Sequence, residues 1–194
     1  MNLPTKLTLL RILLTFVIMG LLFVPGWVAK AAALAVFLFA GLTDWLDGLL
    51  ARRWRQTSSL GALLDPIADK VLVLGTFLAF VQLGLIPAWM VLVIALREFL
   101  ITGVRLFAVS RRFVLSAAKE GKHKTVSQMV TIVVLLSVLL IREWMGERLS
   151  ERAVTAMQGL LLGCLWIAMV LTVISGASFF WRHRHVLRDA VSRS

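Results

Sequence analysis

The sequence predicts an all-α integral membrane protein with six transmembrane helices and both termini in the cytoplasm. Three observations predict it. Of 194 residues, 60% are apolar and 16% charged, with a mean hydropathy of +0.91. Soluble domains run nearer about 45–50% apolar and about 25% charged, and a chain of this size cannot hide so much apolar surface in a core of its own. Six stretches approach the roughly 20 apolar residues that a spanning helix needs. The basic residues fall unevenly around those stretches, which sets an orientation.

The first stretch runs from about Leu7 to Val24 and stops at Pro25-Gly26. The second runs from Ala29 to Leu50, before Arg52-Arg53. The third covers about Leu60 to Gly84, and the fourth runs from beyond Pro87 to about Val109. The fifth runs from Val126 to Ile141 and the sixth from Ala153 to Trp181. Each must be helical, because lipid satisfies no open backbone group. One side receives Lys6, Arg11, Arg52, Arg53, Arg55, Arg105, Arg111, Arg112, Lys119, Lys122, Lys124, Arg182, Arg184, Arg188 and Arg193. The other has Lys30, a nearly neutral turn at Gly84–Pro87, and a segment in which Arg142, Arg148 and Arg152 balance Glu143, Glu147 and Glu151. The basic side is cytoplasmic. A single membrane domain over 1–194 follows, with a short interfacial N-terminal segment (about 1–8) and a basic cytoplasmic tail (about 182–194).

Composition also excludes several classes. Disorder does not fit a chain so rich in Leu, Val and Ile. With Cys164 as the one cysteine, neither a disulfide scaffold nor a cysteine-based zinc cluster is available. The net charge of +11 flanks apolar runs instead of forming a soluble basic module, so nucleic acid is not the expected partner. A cleaved signal peptide is the plainer alternative for the N-terminus, but Arg11 stands inside the apolar run.

Four of the ten acidic residues, Asp44, Asp47, Asp65 and Asp69, fall within 26 positions in or beside the second and third stretches. A charge at membrane depth is costly and usually marks function. Asp44 and Asp47 are three apart, Asp65 and Asp69 four apart, so each pair shares a helix face. Two antiparallel neighbours joined by a short basic loop bring both pairs to the cytoplasmic end. Four converging carboxylates repel unless positive charge sits between them. Hard divalent ions such as Mg²⁺ or Mn²⁺ suit an all-oxygen set, and two of them suit phosphoryl chemistry. The plainer alternative pairs these aspartates with Arg52, Arg53, Arg55 and Lys70. Gly48, Ala51 and Gly61 lie close to the carboxylate faces and leave room for a ligand or a close helix.

The string Asp44-x-x-Asp47-Gly48-x-x-Ala51-Arg52, eight residues, Gly61-x-x-x-Asp65-x-x-x-Asp69 resembles the signature of the CDP-alcohol phosphatidyltransferases at every fixed position. The resemblance implies a six-helix membrane core and a reaction in which an alcohol hydroxyl attacks the lipid-side phosphorus of a CDP-linked lipid and CMP leaves. It implies Asp44, Asp47, Asp65 and Asp69 as ligands of two Mg²⁺ or Mn²⁺ ions, with Asp69 also the catalytic base. It implies Asp47, Gly48, Ala51, Arg52 and Gly61 as the nucleotide site. A metal-bound base is a weaker base, so the two roles of Asp69 compete.

Three further segments bear on the acceptor alcohol. Asn2-Leu3-Pro4-Thr5-Lys6-Leu7-Thr8-Leu9-Leu10-Arg11 is similar to the opening of the family's bacterial members that use glycerol 3-phosphate, where it packs beside the nucleotide; Asn2 and Thr5 are then nucleotide-binding. The alternative is a helix start with a cap. Arg97 and Arg105, eight apart on the fourth helix, share a face and suit bidentate phosphate binding. Their alternative is an Arg97–Glu98 ion pair and a snorkelling Arg105. Lys122 and Lys124 open the fifth helix, where an anion is favoured; the alternative is a positive-inside anchor. Both segments resemble the acceptor-phosphate region of the same members. His183 and His185 read as solvated tail residues.

The expectation is transfer of a phosphatidyl group from CDP-diacylglycerol to sn-glycerol 3-phosphate, giving phosphatidylglycerol phosphate and CMP in phospholipid biosynthesis. By resemblance the protein is a homodimer of a bacterial inner membrane, multi-pass, in contact with membrane lipid, its active site facing the cytoplasm. Sister enzymes using inositol phosphate, serine or phosphatidylglycerol are the nearest rivals. A small cation transporter or a non-catalytic assembly factor is more distant.

Overall fold

The computed structural model describes residues 3–54, 59–110 and 120–192, with side chains described at 6, 8–43, 67–108 and 124–184. The described residues form six α-helices and no strand: α1 (Leu3–Phe23), α2 (Trp27–Trp54), α3 (Ser59–Gln82), α4 (Ala88–Ser110), α5 (Glu120–Met145) and α6 (Glu151–Ser192). A 3₁₀ turn at Gly146–Arg148 separates the last two.

Breakers in the sequence account for the helix ends. Pro25 cannot continue α1, and Gly26 adopts φ +99°, a conformation that strains other residues. Lys30, buried within the first turn of α2, reaches back and donates to the Leu22 and Val24 carbonyls at 2.7 Å each. Those are carbonyls a helix C-terminus leaves without partners. The α3–α4 turn closes in the same economical way, with the Gly84 and Leu85 amides donating to Val81 and Phe80.

The contacts fix the helix directions. Thr15 on α1 lies beside Gly75 on α3, so close that a built Cβ there would sit 2.7 Å from Thr15 Cγ2; Arg11 pairs with Asp69 earlier on both helices, so α1 and α3 run parallel. Gly26 meets Glu143 while Gly41 meets Met129, so α2 and α5 are antiparallel. Gln128 donates to Thr172 and Thr131 to the Cys164 carbonyl, so α5 and α6 are antiparallel too.

Among the described residues α1 packs against both α2 and α3. The expected approach of α2 to α3 around residues 44–65 lies outside the described side chains. The core forms where these helices meet, around Ile18, Leu22, Phe37, Phe77, Phe80, Met90, Ile94, Leu135 and Leu165. Other large apolar side chains face outward, including Phe16 at 62% and Phe99 at 61% exposure. Two helical stretches, Lys124–Arg148 and Glu151–Arg184, are long and apolar enough to cross a membrane among the described residues.

The C-terminal segment differs from a loose tail. α6 continues to Ser192. His183, expected in solvent, is 6% exposed, with Nδ1 3.0 Å from the Phe179 carbonyl and its ring against Phe179. Helical continuation turns its side chain back onto the bundle.

Candidate active site

The helix directions bring the start of α3, the cytoplasm-predicted half of α4, the start of α5 and the end of α6 to one end of the bundle. Asp69 and Lys70 enter this region side by side from α3. The Asp69 side chain is half-exposed and pairs with Arg11 of α1, itself 1% exposed. A guanidinium buried so fully needs a paired anion and hydrogen bonds to be tolerable. Thr15 donates to the Arg11 carbonyl at 3.0 Å and ties the same turn of α1.

Arg97, Glu98 and Lys124 form the second cluster. Lys124 Nζ and Arg97 Nη1 both donate to Glu98 Oε1, the latter at 3.2 Å. The other arm of the Arg97 fork, Nη2, donates to Ser175 Oγ at 2.5 Å. Arg97 Nε is buried and has no hydrogen-bond partner among the described residues. Arg105 is exposed and lies over the Phe179 ring, 5.5 Å from its centroid. Lys70 feels the charges of Asp69, Arg97 and Arg105, and Lys124 those of Arg97 and Lys70. Four cations from three helices thus share a region in which Glu98 is the buried carboxylate, with Asp69 at its margin.

Several expected site residues have no described side chain. Asp44, Asp47, Gly48, Ala51 and Arg52 occupy positions on α2; Gly61 and Asp65 are on α3, Thr5 on α1 and Lys122 on α5. Their side chains, and Asn2 altogether, lie outside the described residues. Among the described residues no group of three His, Cys, Asp or Glu side chains gathers to hold a metal. The donor set the α2–α3 sequence carries is nevertheless all oxygen, the chemistry hard divalent cations require.

The structure brings Arg97, Arg105 and Lys124 into one region, where spacing alone had related only the two arginines. The Arg97–Glu98 pair that the plainer sequence reading expected is formed. Lys124 lies past the first turn of α5, which starts at Glu120, and bonds Glu98. Sequence reasoning missed three participants. Arg11 carried a signal, a lone arginine in an apolar run. Ser175 and Phe179 carried none, because a serine and a phenylalanine on an apolar helix read as packing.

Comparison with known proteins bears on the family. Residues 1–181 match the CDP-alcohol phosphatidyltransferase family. The chain is 36% identical over 201 residues to a Bacillus subtilis protein named CDP-diacylglycerol--glycerol-3-phosphate 3-phosphatidyltransferase, with 97% of this chain and 98% of the relative covered. A Pectobacterium atrosepticum protein of the same name is 36% identical at 97% and 98% coverage. A third, from Cereibacter sphaeroides, is 35% identical at the same coverage. A match across nearly the whole sequence makes this chain a member of the CDP-alcohol phosphatidyltransferase family.

Proposed function

We propose that the protein transfers a phosphatidyl group from CDP-diacylglycerol to sn-glycerol 3-phosphate, releasing CMP and giving phosphatidylglycerol phosphate for phospholipid biosynthesis. The observation that carries the acceptor choice is the junction at Lys70. A half-exposed carboxylate, Asp69, adjoins a surplus of positive charge formed by Lys70, Arg97, Arg105 and Lys124. An alcohol bearing a phosphate satisfies both: its hydroxyl faces the carboxylate and its phosphate faces the cations. Relatives with the acceptor in their names support the same choice.

In this reading Asp69 takes the proton of the acceptor hydroxyl as that oxygen attacks the lipid-side phosphorus and CMP departs. Arg11 orients the carboxylate. Arg97, Arg105, Lys122 and Lys124 hold the acceptor phosphate, arginine by its planar fork and lysine as a point charge. Asp47, Gly48, Ala51, Arg52 and Gly61, with Asn2 and Thr5, hold the cytidine nucleotide. Asp44, Asp47, Asp65 and Asp69 hold two divalent ions, Mg²⁺ or Mn²⁺, which when bound neutralise the diphosphate and polarise its phosphorus.

The reading includes six spans, both termini in the cytoplasm and an active site at the inner leaflet of a bacterial inner membrane. Outward apolar side chains such as Phe16 and Phe99 support a lipid surrounding, and the uneven basic residues support the orientation. It also includes a homodimer, which cross-linking in native membranes would check. The central test is CMP release by the purified protein in lipid nanodiscs with CDP-diacylglycerol and one acceptor at a time. Turnover is expected with glycerol 3-phosphate, lost on chelation and restored by Mg²⁺ or Mn²⁺. Turnover of serine, inositol phosphate or phosphatidylglycerol instead would overturn the acceptor, and chelator-resistant turnover would overturn the metal role.

A further inference from the structure

Helix α6 supplies none of the residues assigned above to substrate or metal, yet one of its faces meets both arginines of α4. Ser175 Oγ accepts from Arg97 Nη2 at 2.5 Å. At the next residue, Gly176, a built Cβ would lie 3.1 Å from Arg97 Cγ and 3.8 Å from its Nε. The bare backbone there is what lets the Arg97 stem lie across α6. One turn further on, the Phe179 ring lies under Arg105. Another turn on, His183 tilts against the opposite partner of that contact, the same Phe179 ring, at 4.6 Å. Positions 175, 179 and 183 recur every four residues and so share one face.

This face limits how the arginines can move. Phe179 is 3% exposed and therefore fixed by its own packing. A free arginine side chain gives up rotamer freedom when it grips an anion, whereas one already held in place gives up less and binds more tightly. A ring under a guanidinium also leaves its edge N–H groups free for an anion while attracting its charge.

We propose that Ser175 and Phe179 are positioning residues that hold Arg97 and Arg105 in the geometry the acceptor's phosphate requires, with Gly176 left bare so that Arg97 can reach Ser175. The proposal rests on the acceptor reading of the two arginines given above. It assigns α6 a part in acceptor specificity: an acceptor without an anionic group gains nothing from the arrangement.

Steady-state kinetics of the full chain in nanodiscs test it. Ser175→Ala and Phe179→Leu should each raise KM for glycerol 3-phosphate by about three- to tenfold, the scale of one contact to a guanidinium. KM for CDP-diacylglycerol should stay near wild type, whatever the thermal midpoint loses with the buried contact. Ser175→Thr and Phe179→Tyr should restore the acceptor KM, since each keeps the contacting group. Gly176→Ala should raise the acceptor KM while leaving every hydrogen-bonding group in place, and it carries the test should Ser175→Ala fail to fold. Arg97→Gln separates the two levels of the argument. A raised acceptor KM in Arg97→Gln beside unchanged values in Ser175→Ala, Phe179→Leu and Gly176→Ala overturns the role of α6 alone. An unchanged acceptor KM in both Arg97→Gln and Arg105→Gln overturns the acceptor reading, and this inference with it. A fall in kcat and thermal midpoint with both KM values unmoved assigns α6 a structural role and also overturns the proposal.

Discussion

The two halves of the bundle handle charge differently. In α1–α3 the charges of one pair offset each other across parallel helices: the buried Arg11 meets the half-exposed Asp69. In α4–α6 they do not balance. Arg97 and Lys124 converge on one oxygen of Glu98, and Arg105 adds a further cation over Phe179. Lys70 sits at the seam and feels charges from both sides. A balanced pair fixes a carboxylate in place. An unbalanced cluster keeps an electrostatic demand that an anion can meet. The contrast is what the proposed function draws on in giving proton chemistry to Asp69 and anion binding to the cations of α4 and α5.

The largest expected effect falls on the first half. Asp69→Asn keeps the side chain's shape and removes its charge. CMP release should fall by about 10²–10⁴-fold, the range for a lost general base, while size-exclusion and circular dichroism stay those of a folded protein. Retained turnover would take Asp69 out of the mechanism and reduce the Arg11 pair to a structural one.

The halves also differ in how far the sequence announces them. The acidic half is written as one continuous string from Asp44 to Asp69, because a helix places residues three and four apart on one face. Six helices were equally legible, since apolar runs end at Pro25, Gly84 and Pro87, and the observed helices follow those breaks. The cationic half is assembled from Lys70, Arg97, Glu98, Arg105, Lys124 and Ser175, up to 105 positions apart, and only packing brings them together. Periodicity located Arg97 and Arg105 on one face but could not say what lay opposite. Nor could it show that α1 packs against both α2 and α3, because chain adjacency says only that two helices are joined. His183 was misread for the same reason: its basic neighbours suggest solvent, and the helical continuation of α6 turns it inward.

A smaller effect is expected in the second half. Glu98→Gln leaves Arg97 and Lys124 facing each other with their shared carboxylate neutralised. Breaking a buried ion pair costs about 3–5 kcal/mol, so the thermal midpoint in nanodiscs should drop clearly. Glycerol 3-phosphate should recover part of the loss, because a ligand that binds only the folded state stabilises it. The recovery should exceed the shift that the same ligand gives the wild-type protein, since the variant has more positive charge to satisfy. An unchanged midpoint would mean that Glu98 is not what holds the two cations together.

The smallest effect lies at the far end of the bundle, where a buried charge has no expected substrate. Lys30 is 4% exposed, and its ammonium donates to the Leu22 and Val24 carbonyls at the end of α1. Its positive charge also meets the negative end of that helix. Lys30→Met keeps the apolar stem and strands both carbonyls, a change expected to cost about 1–2 kcal/mol. The thermal midpoint should fall modestly while kcat and both KM values hold. That outcome would separate a cation that caps a helix from the cations of α4 and α5, whose removal should move acceptor binding. A raised acceptor KM in Lys30→Met would instead show that strain travels the length of the bundle, and burial of a lysine could no longer be read apart from the site it lies near.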